Sequence, residues 1–330
     1  MEERKKAHIN LAFQSRVNSE DADSRFNYEP LLSAHPLGER QPFEFAGKTM
    51  RLPVWVSSMT GGTALAGQIN RNLAQACADF GMGMGLGSCR ILLDEPKYFP
   101  DFDMRHIIGS EAPFYANLGI AQLEHMVLEK STDKIGELVE KLRADGIIIH
   151  INPLQEAFQL EGDLLKHPPI ETLQKFIEET SLKIIVKEVG QGMGPKSLKA
   201  LLKLPLQAIE FGALGGTNFT KLELARHSGT AHSVYNTFGQ VGHNAAEMMK
   251  MVNDIIGDSN DVKCKQIIVS GGINNVLDGY FLVGQSKLPA IFGMGSAFLE
   301  HAMEDYTALK SYTEKIKMSL ALAENYLEIK

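Results

Sequence analysis

The segment His150-Ile-Asn-Pro-Leu-Gln-Glu156 gathers an imidazole, two amides and a carboxylate within seven residues. Such a set can hold phosphate oxygens, carry a proton or, through Glu156, give one oxygen ligand to Mg²⁺, which takes few protein carboxylates beside substrate phosphates and water. Each residue also has an ordinary reading, as a satisfied core histidine at a strand end or a first-turn glutamate favoured by the helix dipole. Lys187 is harder to explain in that way. It closes the apolar run Lys183–Val186, and an ammonium buried there needs an anion, either a carboxylate such as Glu188 or a ligand. Gly271-Gly272 and Gly293-Met294-Gly295 each follow an apolar run and precede a helix-like stretch. That placement aims main-chain N–H groups and a helix N-terminus at a phosphate, or simply makes tight turns. Arg4-Lys5-Lys6-Ala7-His8 is a solvated charged terminus or a local anion site.

Eight short runs, rich in β-branched and other apolar residues, must position these groups: 53–57, 82–86, 113–116, 146–151, 183–186, 208–211, 266–270 and 290–292. Helix-period stretches lie between most of them, at 63–80, 135–143, 170–179, 195–203, 243–256 and 276–283. Strands alternating with helices mean parallel βαβ units, and near-continuous hydrophobicity (IIIHI, KIIVKE, QIIVSGG) means strands buried on both faces. The predicted fold is an α/β protein, a closed (β/α)₈ barrel. A doubly wound sheet is the alternative, but the Gly81–Gly87 segment alternates its glycines and meets no G-x-G-x-x-G register. One barrel domain over 1–330 is expected, with an N-terminal arm at 1–50, a core at 51–297 and a helical segment at 298–330. The arm and residues 212–242 exceed what a barrel needs, and surplus βα loops are where barrels build function.

Active sites in this fold form at the C-terminal ends of the strands. Those ends carry Ser57-Ser58-Met59-Thr60, Ser88 and Arg90, Asn117, His150 to Glu156, Lys187-Glu188, Gly215-Gly216-Thr217, Gly271-Gly272 and Gly293-Met294. The net charge of −7 argues against a nucleic-acid binder, so an anionic ligand must find a local basic site. Cys77, Cys89 and Cys264 are odd in number and lack C-x-x-C spacing, which fits a reducing, cytoplasmic setting. No stretch has signal-peptide or membrane-spanning character.

Taken together, RKKAHI, SSMTGG, GSCR, ANLG, HINPLQE, VKEVGQG, GALGGTNF, SGGI and GMGSA, in this order from Arg4 to Ala297, resemble the type 2 isopentenyl-diphosphate isomerases. These are FMN-dependent barrels that interconvert isopentenyl and dimethylallyl diphosphate. The resemblance implies that Ser58, Met59, Thr60, Ser88, Asn117, Lys187 and Thr217 contact FMN, with Gly271, Gly272, Gly293 and Met294 near its phosphate. It implies that Arg4, Lys5, His8, Arg90, His150 and Asn152 hold the substrate diphosphate, that Gln155 lies by the reacting carbons, that Glu156 binds Mg²⁺ and that Glu223 belongs to the catalytic surroundings. It further implies that reduced FMN exchanges the proton, that NADPH serves to reduce it, and that the chain forms tetramers or larger assemblies. Three departures stand out: Asn274 where the pattern has Arg, Gln240-Val-Gly-His243 where it has a W-G-I-P-like segment, and GSCR for GSQR. Two other readings remain: an FMN-dependent 2-hydroxy-acid oxidoreductase, which shares the barrel and its phosphate site, and a non-catalytic phosphate-binding barrel.

Overall fold

A computed structural model describes residues 2–38, 40–58, 62–226 and 234–330. Each of the eight predicted runs overlaps a strand of one closed parallel barrel, three of the strands extending two or three residues beyond their runs: β1 (Val54–Val56), β2 (Gly83–Gly85), β3 (Phe114–Gly119), β4 (Gly146–Ile151), β5 (Ile184–Glu188), β6 (Ala208–Glu210), β7 (Ile267–Ser270) and β8 (Ala290–Met294). Neighbours in sequence are neighbours in the barrel, and β8 returns to β1 through Phe292↔Val54 and Met294↔Val56. Some of the helices start at a side-chain cap. Thr63 accepts from Ala66 N to start Ala64–Phe80, and Asn244 with Glu247 forms a capping box for Ala245–Asp258.

Side chains alternate along each strand, so every second residue points into the barrel. The lower inward layer is apolar: Trp55, Tyr115, Ile148, Ile185, Ala208, Ile268 and Ile291 form one cluster. Two residues further along each strand, by the same alternation, stand Ser57, Gly85, Asn117, His150, Lys187, Glu210, Ser270 and Gly293. The barrel therefore changes from oil to polar chemistry within a single layer, at the ends of the strands where function is expected. The outward residues, such as Val54, Val56, Ile147 and Ile149, pack against the surrounding helices.

Part of the first fifty residues belongs to this architecture. A hairpin of Phe43–Phe45 and Lys48–Met50 closes the bottom of the barrel. Phe45, Ala46 and Met50 join the inner cluster, Tyr115 Oη donates to Ala46 O at 2.9 Å, and Ala46 N donates to Gln266 Oε1 at 2.8 Å. Phe26–Tyr28 pairs antiparallel with Leu327–Ile329, tying the two ends of the chain together. The helix Tyr306–Tyr326 buries Leu309, Ile316 and Leu320 in the chain's own core. Among the described residues no helix is long and apolar enough to cross a membrane.

Candidate functional site

A cavity of about 680 Å³, counting the open solvent at its mouth, lies at the C-terminal ends of β1 and β5 to β8. Ser58, Lys187, Thr217, Gly271, Gly272, Gly293 and Met294 line it, as do Glu210 and Asn274. Its glycines are required by close approach. Gly271 has φ +87°, and a Cβ there would come within 2.1 Å of Ala213 O. Gly272 has φ +70° and lies against the main chain of Leu214 and Gly215, so the loops after β6 and β7 pack backbone to backbone. The two helix starts beside the cavity differ. Asn275 caps Val276–Gly284 through Asp278 N, whereas Gly295 begins Ser296–Glu304 with no side chain to cap it. The uncapped N–H groups of the second helix, whose Gly295, Ser296 and Ala297 line the cavity, suit an anion such as a phosphate.

Lys187 is buried at the floor. Its ammonium donates to the main-chain oxygen of Glu188 at 2.9 Å rather than to that residue's carboxylate. Glu188 Oε2 is occupied by Gly190 N, Gln191 N and Gly192 N at 2.7, 2.6 and 2.8 Å and shapes the loop after β5. Burial pushes the Glu188 carboxyl above the usual carboxylate range, against these three amides and Lys187.

His150 is the register partner of Lys187 on β4. Its Nδ1 lies 2.8 Å from Asn117 Oδ1, while Asn117 Nδ2 donates to Leu86 O at 2.9 Å. An amide oxygen only accepts, so Nδ1 carries the proton and Nε2 is left as an acceptor. Burial, then the charge of Lys187, pushes the ring's pKa down to about 3. Above the ordinary value of 6.5 both folded and unfolded states hold a neutral ring and the residue is indifferent to pH. Below it the unfolded chain takes up the proton and the folded one does not, so stability falls as pH drops from 6.5 towards 3. His150→Gln should therefore lose less melting temperature between pH 7 and pH 4.5 than the parent chain, a difference thermal scans at the two pH values would measure.

A second group is joined by hydrogen bonds. Asn152 Nδ2 donates to Gln155 Oε1 at 3.1 Å and Glu156 Oε1 at 3.0 Å, and Gln155 Nε2 donates to Glu223 Oε1 at 3.2 Å. Arg226 holds Glu223 Oε2 at 2.8 Å, and Asp163 N donates to Glu156 Oε2 at 3.0 Å. Arg90 pairs with Asp163 at 3.3 Å and so joins the same cluster, while Ser88, beside it, is exposed. Asn152 Oδ1 is buried and unpartnered. Asn152 turns its amide nitrogen, not this oxygen, to Glu156, and both Glu156 oxygens accept hydrogen bonds, so Glu156 could give Mg²⁺ an oxygen only by exchanging one of them; no cluster of three acidic, His or Cys ligands occurs among the described residues.

Arg4, Lys5 and His8 lie on the helix Glu2–Leu11, which buries no residue. Met59 and Thr60 fall outside the described residues. Glu210, a fully buried carboxylate on the cavity floor, was missed from sequence, where AIEF reads as one more apolar run.

No family model matches the chain. Among curated proteins, it is 32% identical over 305 residues to the isopentenyl-diphosphate delta-isomerase of Rickettsia prowazekii (strain Madrid E), covering 91% of this chain and 86% of that one. It is 34% identical over 259 residues to the protein of the same name from Rickettsia akari (strain Hartford), covering 78% and 72%. Among solved structures it is similar to a flavocytochrome b2 variant with sulfite bound, with TM-score 0.58 and 15% identity over 90% of this chain and 72% of that one. A mandelate oxidase variant with (S)-mandelic acid gives 0.57 and 13%, over 93% and 86%. At such identities the structural likeness speaks for the barrel alone, whereas the curated relatives reach the level of family. The chain belongs to the isopentenyl-diphosphate delta-isomerase family.

Proposed function

We propose that this protein interconverts isopentenyl and dimethylallyl diphosphate, with FMN in the cavity over Lys187, Mg²⁺ at Glu156 and NADPH as the reductant of the flavin. The observation that carries the reading is the polar inward layer, where a buried cation and a neutral imidazole stand beside an uncapped helix start and a network of amides and carboxylates. Reduced FMN, when bound, would supply the acid and base, one proton being added to the terminal carbon of the alkene and one removed from the allylic carbon on the other side of the double bond.

The chain's own residues bind and orient. Lys187 sets a positive field in the cavity and favours an anionic ring system there. The Gly295–Ala297 helix start and the glycine loops hold the flavin phosphate, with Ser58 and Thr217 on the walls. Asn117 fixes the tautomer of His150, so that a diphosphate arriving near Nε2 offsets the cost of protonating it. Gln155, held at both ends of its amide by Asn152 and Glu223, keeps a fixed orientation toward the reacting carbons. Arg4, Lys5 and Arg90 add positive charge for the diphosphate, and His8 a ring nitrogen, once the N-terminal helix is brought to a barrel mouth.

That helix and its neighbouring segment expose Ile9 (71%), Phe13 (73%), Leu31 (91%) and Leu37 (94%), which supports assembly of several copies. The three cysteines are buried and free, in keeping with a cytoplasmic setting.

The test is an absorbance spectrum for bound flavin, followed by anaerobic photoreduction with Mg²⁺ and isopentenyl diphosphate. Conversion to dimethylallyl diphosphate is expected. A fully flavin-loaded, reduced sample without turnover would overturn the reading, and bleaching of the flavin by 2-hydroxy acids in the absence of any diphosphate would point to an oxidoreductase.

A further inference from the structure

Glu210 has no part in the chemistry above, yet it occupies the centre of the site. It is wholly buried on β6, and Ser57 Oγ, directly after β1, donates to its Oε1 at 2.6 Å, so the carboxylate reaches across the barrel interior. Its Oε2 has no partner. A carboxylate removed from water with one oxygen empty is costly unless a cation or donor compensates it. The cation at hand is Lys187, its register partner on β5 and a lining residue of the same cavity. The ammonium gives one N–H to Glu188 O and has two more to give. Ser58 Oγ, on the same cavity, is also buried without a partner. Two unpartnered oxygens and a cation with donors to spare therefore line one cavity, with no ion pair within 4.0 Å between Glu210 and Lys187.

We propose that Glu210 is a positioning residue. Its carboxylate, in the same inward layer as Lys187, offsets part of the positive field that the ammonium presents to the occupant and so sets how strongly that field acts. Ser57 limits that offset by hydrogen-bonding Oε1. The inference rests on the reading of the cavity as a flavin site.

Sulfite titration of the FMN-loaded protein is the test, because sulfite adds to oxidised flavin N5 and leaves negative charge at the N1/O2 edge, so its affinity measures the local field. Glu210→Gln, which keeps the shape and removes the charge, should tighten sulfite binding by about tenfold, equivalent to a rise of about 30 mV in the two-electron potential. Ser57→Ala, which frees the carboxylate to act on Lys187, should weaken it. A Glu210→Gln protein with normal FMN content and unchanged or weaker sulfite binding overturns the proposal. Should that variant fail to fold, Ser57→Ala decides alone, and unchanged or tighter binding there has the same consequence. Parent protein that takes up no FMN overturns the cofactor reading and this proposal together, so the parent is scored first.

Discussion

Lys187→Met is expected to lower turnover by about 10²–10³-fold, the usual loss when a preorganised electrostatic group is removed from a desolvated site. In the upper inward layer Lys187 is the one cation, since His150 is held neutral with a ring pKa of about 3 and the other members are Asn, Ser, Gly and the carboxylate of Glu210. Methionine fills similar volume, so the cavity keeps its shape while its field reverses sign. The same substitution leaves Glu210 without a nearby cation, and the chain should melt at a lower temperature for that reason. The double variant Lys187→Met/Glu210→Gln removes both charges and should recover most of the melting temperature but none of the turnover. Steady-state kinetics under reducing conditions and thermal scans on the two variants separate the roles. Turnover within about tenfold of the parent in Lys187→Met would show that the ammonium is a structural ion only.

The barrel was legible because its strands are buried on both faces, which writes IIIHI and IIVKE as nearly unbroken apolar runs with a polar residue near the C-terminal end. His150 and Lys187 stand out there as polar letters in an apolar word. Glu210 does not, although it is more deeply buried than either. Whether a lone glutamate in AIEF points inward depends on the pairing Lys187↔Glu210, and register is a property of two strands rather than one. The closing hairpin was hidden for a similar reason. Phe43–Phe45 and Lys48–Met50 are three residues each, too short for alternation to show, and their apolar side chains make sense only against the underside of a barrel already formed. The pairing of Phe26–Tyr28 with Leu327–Ile329 joins opposite ends of the chain, which no local pattern announces. Among the site residues, the Asn152–Gln155–Glu156 set could be found by type and spacing. Its connection to Glu223 could not, because that contact crosses from the segment after β4 to the helix Phe219–Arg226 after β6.

Gln155→Asn should cut turnover by about 10²-fold while the protein stays yellow. Shortening the side chain by one methylene withdraws the amide by more than an ångström, and a displacement of that size at a positioning group costs about two orders of magnitude in rate. Two hydrogen bonds are at stake, from Asn152 Nδ2 at 3.1 Å and to Glu223 Oε1 at 3.2 Å, and the shorter amide cannot keep both. Glu223 would retain Arg226 at 2.8 Å and Glu156 would retain Asp163 N and Asn152, so the fold around the site should survive. Flavin content should be unaffected because Gln155 does not line the cavity of Lys187 and the glycine loops. The effect should fall on kcat, with KM for the diphosphate nearly constant, since an amide that orients the reacting carbons acts after the diphosphate is held. A Gln155→Asn protein that loses its flavin would place the residue on the cofactor instead, and a rise in KM at constant kcat would move it to the diphosphate. Glu223→Gln offers the complementary measurement: it keeps an oxygen for Gln155 Nε2 but loses the charge that binds Arg226, so a smaller loss of turnover than in Gln155→Asn is expected if orientation of the amide, rather than the carboxylate's charge, is what the reaction requires.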